Sequence, residues 1–294
     1  MSSNVNLKIT SWNVRGVGKL AKMKQVLSRV KQLKSSVVYL QETHLLSDEV
    51  IKIKRRWSGQ VISASCLSHT RGVMILIHKS VPFKVDNVIR DIGGRYLIVQ
   101  GTLINEKINM INIYAPNDDN PEFFENLFLL ISSLPGKALI AGDFNCTLDP
   151  KLDRSTGVDS SHTQSRKKLL QYIKDLNLCD PWRRLNSDKL EFSCYSPRPK
   201  SYSRIDYFLI SSSMLSSVIE CNYNSILLTD HSPTSLVYRT QGVIKGTPRW
   251  RFHPRWLSDS NFLQFLEAQI DLFFTTNTNE TSAIVRWEAF KVYI

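Results

Sequence analysis

A chain of 294 residues that is 42% hydrophobic and 22% charged has the balance of a folded globular protein, which excludes a disordered chain. No apolar run approaches the roughly 18 residues of a membrane-crossing helix. The net charge is +12: residues 1–240 hold 32 Lys/Arg against 21 Asp/Glu, and residues 241–294 hold 6 against 5. The basic excess lies in the main body and points to a polyanion, nucleic acid or anionic membrane, with plain solubility as the alternative.

In chain order, Leu7–Trp12 reads as a strand ending at Asn13, and Met23, Val26, Leu27, Val30 and Leu33 keep helical spacing. Val37–Leu40 is a buried strand running into Glu42, and Gly72–His78, Tyr96–Leu103 and Ile108–Tyr114 are three more. Pro121 opens a helix through Leu134, Ala138–Ala141 is a strand ending at Gly142–Asp143, and Arg166–Leu176 is a helix. Phe192–Tyr195, Ile205–Ile210, Ser225–Leu228 and Ser235–Tyr238 complete the strands. Leu103 to Ile108 is too short a link for a helix, so antiparallel pairing is required. The expected fold class is α/β: two mixed β-sheets packed face to face with helices outside.

Five scattered cysteines form no C-x-x-C pair, and MSSNVNLKIT has no apolar signal core, so a reducing compartment is expected. After Gln241 the pattern changes, and residues 241–294 read as a linker toward a further domain, or else as a helix packing back on the first.

Polar residues collect at strand ends: Asn13, Glu42, Tyr114, Asp143, Asn145, Asp206, Asp230 and His231. Glu42 is either a loop carboxylate or a magnesium ligand, since Mg2+ takes one or two carboxylates and keeps its waters. Asp143 and Asn145, two apart, can aim a carboxylate and an amide at one atom, the plain alternative being an Asx turn. Asp206 heads an apolar strand and needs a partner, which His231 can supply; a carboxylate-held His suits proton transfer or charge stabilisation. The other histidines, His44, His69, His78, His162 and His253, are taken as structural. There is no G-x-S-x-G and no P-loop, so the set points to water attacking phosphorus.

The motifs SWNVRG, LQETH, NIYAPN, GDFN, SRIDYFLI and TDHSP lie in this order over residues 11–233. Together they resemble the endonuclease/exonuclease/phosphatase superfamily. NIYAPN with LDRST (152–156), and the tail motif RWRFHPRWL, resemble the endonuclease of long interspersed element retrotransposons and its link to reverse transcriptase. The resemblance implies a four-layer α/β sandwich, with residues 1–240 as endonuclease domain and 241–294 as the link. It implies Mg2+ (Mn2+ as substitute) held by Glu42, Asn13 and Asp230, with Asp143 and Asn145 on the water. His231, held by Asp206, and Tyr114 would then meet the phosphate. It implies double-stranded DNA as partner, a reverse transcriptase in cis, a nuclear site of action with a cytoplasmic phase, and a monomer. A phosphatase on small phosphoesters, or an inactive nucleic-acid-binding module, are the alternatives.

Arg15 stands where repair enzymes carry an Asp, placing a cation near the phosphate. By the same resemblance Asn117, Arg154 and Ser193 are substrate contacts. Arg198, Lys200, Tyr202 and Arg204 belong to a stiff basic and aromatic segment, expected to be either a hairpin that probes DNA shape or an ordinary solvated turn.

Overall fold

The computed structural model describes residues 4–159, 161–197, 200–243, 254–277 and 282–293. The strands are β1 (Asn4–Asn13), β2 (Val37–Gln41), β3 (Gly59–Ala64), β4 (Val73–His78), β5 (Phe83–Arg90), β6 (Tyr96–Leu103), β7 (Glu106–Tyr114), β8 (Lys137–Asp143), β9 (Leu178–Cys179), β10 (Cys194–Pro197), β11 (Lys200–Ser203), β12 (Asp206–Ser211), β13 (Val218–Tyr223) and β14 (Thr234–Val243). The helices are α1 (Leu20–Gln32), α2 (Ile51–Lys54), α3 (Pro121–Ser132), α4 (Pro150–Asp153), α5 (Thr163–Asp175), α6 (Pro181–Leu185), α7 (Ser260–Thr276) and α8 (Ala283–Tyr293).

Two six-stranded sheets result, ordered β13-β14-β1-β2-β4-β3 and β5-β6-β7-β8-β12-β9. Each is mixed by one parallel pair, β1 with β2 and β7 with β8, and each pair is linked by a crossover helix, α1 or α3. Because strand side chains alternate, Val37 and Tyr39 of β2 enter the core between the sheets, while Val38 and Leu40 meet α1. Leu139 and Ala141 of β8 likewise face inward, and Ile140 packs under α3 and α5. Met23, Val26, Leu27 and Val30 seat α1 by its apolar stripe, each burial contributing about 1.5–3 kcal/mol. The layers are helix, sheet, sheet, helix: the expected four-layer sandwich.

Five strands lie outside the sequence-based strand assignments: β3, β5, β9, β11 and β13, with β11 falling in the segment expected to be either a hairpin or a solvated turn. β5 has a register shift between Val85 and Asn87, which breaks its alternation, β9 is only two residues long, and β3 and β13 are edge strands with one fully buried residue each. Ser225–Leu228 is not a strand. β13 already takes the place beside β14, and Asn224 N–H donates to Pro233 O, closing a loop with Leu227 exposed. Asp230 and His231 therefore ride on a loop.

The chain divides into two compact units, 1–244 and 245–294. In the second, α7 is capped by Asp259 and meets α8 through Phe273, Phe274, Phe290 and Tyr293. No helix among the described residues is long and apolar enough to cross a membrane.

Candidate active site

The inward-facing rows of both sheets end in polar residues at one edge of the sandwich. Asn13, two steps beyond Ser11 on β1, faces across to the second sheet, where Asp143 closes β8. In register, Asp143 lies between Tyr114 of β7 and Asp206 of β12. The same period of two that fills the core with Leu139, Ala141, Phe208 and Ile210 thus sets these groups at its rim. Behind them, Gln41 Nε2 donates to Asn112 Oδ1 at 2.7 Å, a buried tie between sheets. Gly142 is required by space, because a Cβ there would collide with the Ile113 carbonyl.

Asn13 Nδ2 donates to Glu42 Oε1 and to Asp143 Oδ2, both at 2.8 Å, and its Oδ1 accepts from Arg15 N–H at 3.1 Å. The amide therefore joins two carboxylates by donation instead of presenting oxygen to a cation. Asp143 Oδ1 accepts from Asn145 N–H at 2.9 Å, the latter residue being left-handed at φ 48°. Asn145 Nδ2 in turn donates to Asn117 Oδ1 at 2.8 Å.

His231 Nδ1 lies 2.8 Å from Asp206 Oδ2, and its Nε2 lies 3.9 Å from Asp143 Oδ2. Thr229 positions this loop, its hydroxyl donating to Asn13 O and accepting from His231 N–H. Burial alone would lower the His231 pKa, but Asp206 and Asp143 hold it well above the usual histidine value. Burial, then Asp206, push the Asp143 carboxyl up to about 7, against the opposing pull of His231. Burial, then Glu42 and Asp143, push the Tyr114 phenol up, so it stays a proton donor.

All eight expected centre residues meet here. Glu42, Tyr114, Asp143, Asn145, Asp230 and His231 line a cleft of about 520 Å3, with Asn13 and Asp206 bonded behind them. Arg15, Asn117 and Arg154 line the same cleft. Arg15 Nη1 is 2.6 Å from Asp230 Oδ2.

The donor set suits a hard divalent cation. Glu42 and Asp230 present carboxylates to the cleft, and Asp230 Oδ1 is buried with no hydrogen-bond partner. The facing atoms of Asp143, Asp206 and His231 also lie within 4.8 Å of one another. In that group Asp206 already holds the imidazole and Asn13 and Asn145 hold Asp143, so its positive charge is best supplied by protonated His231.

Two expected substrate contacts are corrected. Ser193 is fully buried, its hydroxyl donating to Asp206 Oδ2 at 2.7 Å and accepting from Asp206 N–H, so it braces Asp206. Arg204 is 1% exposed: Nε bonds Asp153 Oδ1 at 2.7 Å and Nη1 bonds Asp180 Oδ2 at 2.5 Å, beside Trp182 and Tyr207. A guanidinium so enclosed cannot meet a groove.

The segment between is a hairpin, β10 paired antiparallel with β11. Lys200 and Tyr202 are exposed on it, and Tyr195 packs against Tyr202 at 4.8 Å. Arg198 lies outside the described residues. The LDRST segment clamps the hairpin base, Tyr202 N–H donating to Ser155 Oγ and Arg204 N–H to Asp153 O.

Sequence reasoning missed His44, whose Nε2 is 3.2 Å from Glu42 Oε2. The i, i+2 spacing that singled out Asp143 and Asn145 also holds for Glu42 and His44. It missed His162 and Cys194 too, both lining the cleft, with Cys194 Sγ 3.6 Å from His231 Nε2.

Residues 10–259 match the Endonuclease/Exonuclease/phosphatase family. The transposon TX1 uncharacterized 149 kDa protein of Xenopus laevis is 29% identical over 262 residues, covering 87% of this chain. The chain spans about a fifth of that relative's length, 20%. An exodeoxyribonuclease of Bacillus subtilis is 22% identical, with 79% of this chain and 99% of that protein covered. Among solved structures, the AP endonuclease LMAP from Leishmania major superposes with a TM-score of 0.66 at 19% identity, covering 80% of this chain and 88% of that one. With the family matched over most of its length and the fold shared, this chain belongs to the endonuclease/exonuclease/phosphatase family.

Proposed function

We propose that the chain is a divalent-metal-dependent DNA endonuclease that nicks one strand and leaves a 3′-hydroxyl. The carrying observation is Asp143 on the cleft floor, held by Asn13 and Asn145 and facing His231. Family membership and the nuclease relatives support a nuclease; the basic rim of Arg15 and Arg154 supports an extended polyanion as substrate.

In this reading Asp143 orients a water and takes its proton, as a base tuned near neutrality does best. The water oxygen bonds to phosphorus, the P–O3′ bond breaks, the departing 3′ oxygen takes a proton from solvent to become the 3′-hydroxyl, and the phosphate stays on the 5′ end of the other fragment. Protonated His231, kept charged by Asp206, holds a non-bridging oxygen as charge builds, and Tyr114 donates to another. Glu42 and Asp230 would hold Mg2+, or Mn2+ in its place, which would supply Lewis acidity. Arg15 keeps Asp230 compensated and offers its exposed guanidinium to the backbone.

The nick serves as a primer for reverse transcription by a domain reached through residues 241–294. This priming role rests on the transposon relative and on the tail motifs. On this proposal the chain would act on chromosomal DNA in the nucleus. Supercoiled plasmid tests the activity: Mg2+ with the wild type gives open circles, while EDTA or Asp143→Ala does not. Hydrolysis of an inositol polyphosphate without plasmid nicking would favour the phosphatase reading instead.

A further inference from the structure

The first 41 residues hold eight Lys/Arg and no Asp/Glu, and residues 51–57 add four more cations with no acid. The fold gathers much of this charge on one side. α1 starts beside the cleft, where Lys22 Nζ donates to Arg15 O, and runs away from it. Along the helix, Lys24, Ser28 and Lys31 are four and three residues apart on one exposed stripe, and Lys34 lies just past its end. Arg56, after α2, stands across from them. Two adjoining grooves, of about 330 and 420 Å3, share Lys31 and Arg56 in their walls.

This surface is remote from the active centre. Ser36, on its rim, precedes β2 and accepts from His78 N–H, whereas Glu42 lies just past the other end of β2. Five strand residues, roughly 17 Å, separate the two. Among the described residues, none of Lys24, Lys31, Lys34 and Arg56 forms an ion pair; the nearby Lys52–Glu49 pair is the local exception. Four exposed cations held together without counter-charge repel one another, and the surface gains by meeting a polyanion. The one aromatic residue in the lining besides His78, Trp57, is buried, so there is no platform for stacking bases.

We infer that this α1–α2 face is a second nucleic-acid surface, holding the phosphate backbone of a DNA segment outside the catalytic cleft without reading its sequence. It requires no catalysis and so stands apart from the nicking reaction.

The test is binding of the full chain to a 40-base-pair duplex in EDTA, against the variant Lys24→Gln/Lys31→Gln/Lys34→Gln/Arg56→Gln. All four positions are exposed, so a native melting temperature is expected. The variant should bind at least 10-fold more weakly, with the slope of log affinity against log salt reduced by about three to four. Lysine acetylation mapped by mass spectrometry on the unaltered protein gives a second readout: duplex should shield Lys24, Lys31 and Lys34. Unchanged affinity and slope, or full acetylation with duplex bound, overturns the inference. Shielding by a sulfated polysaccharide but not by duplex overturns the nucleic-acid assignment. Nicking by the wild type is scored separately, so its failure leaves this result readable.

Discussion

The amide of Asn13, at the end of a strand in one sheet, donates to the carboxylate of Asp143, at the end of a strand in the other, over 2.8 Å. The bond spans the sandwich where the core stops, so the distance between the sheets becomes the geometry of the centre. Filling the core alters chemistry here: a change in Leu139 or Phe208 would move Asp143 relative to Asn13.

Asp143→Asn should reduce nicking by about 10²–10⁴-fold, the usual worth of a positioned base. It should also stabilise the metal-free protein at neutral pH. The folded carboxyl is raised to about 7 from an ordinary 3.8, so between those values the native state keeps a proton the unfolded chain has lost. The stability this gives is complete below about 4 and is lost as pH rises through 7. Calorimetry in EDTA at pH 5 and 7.5 should show the wild type losing melting temperature relative to Asp143→Asn as pH rises. Parallel behaviour of the two proteins would contradict this.

Asp206→Asn should shift the alkaline limb of the nicking profile to lower pH. His231 owes its raised pKa first to Asp206 among its attractive partners, and loss of that charge leaves Asp143 as the remaining carboxylate opposing burial. Rates measured from pH 6 to 10 check this; an unmoved limb would mean another group sets it.

Arg204→Met should destabilise the fold by about 3–5 kcal/mol, because it takes the ion-pair partner from buried Asp180 and leaves buried Asp153 with Arg183 alone. Urea melts measure the loss, and DNA affinity of the folded fraction should hold. Loss of affinity without loss of stability would return Arg204 to the DNA surface.

Arg15→Ala should leave stability within about 1 kcal/mol, since the Arg15–Asp230 pair is half open to water. Freeing Asp230 should lower the Mg2+ concentration for half-maximal rate while raising KM for DNA. Titrations of each against the wild type separate the two effects.

Replacing residues 196–202 of the β10–β11 hairpin, exposed Tyr202 included, by a short Gly-rich link should redistribute nick positions along a plasmid, mapped by sequencing the ends. The same site spectrum would show that the hairpin reads nothing.

Much of the sandwich was legible because its central strands are apolar on both faces: Val37–Leu40 and Ala138–Ala141 declare themselves, and each gives way to polar residues at its end. The centre was legible for the same reason, as Glu42 and Asp143 interrupt those runs. The parts that stayed hidden depended on long-range pairing. Edge strands β3 and β13 carry no clear pattern, and Ser225–Leu228 is apolar yet unpaired. Arg204 and Lys200 look alike in a basic stretch, and only the arrival of Asp153 and Asp180 from distant segments buries one and not the other.

The central claim is metal-dependent nicking that leaves an extendable 3′ end. Supercoiled plasmid treated with the protein and Mg2+, then given polymerase and labelled nucleotides without phosphatase, reports both at once. The account predicts open circles that take up label, and neither circles nor label with EDTA or Asp143→Ala. Label-free open circles, progressive digestion from ends, or equal nicking by Asp143→Ala would contradict it.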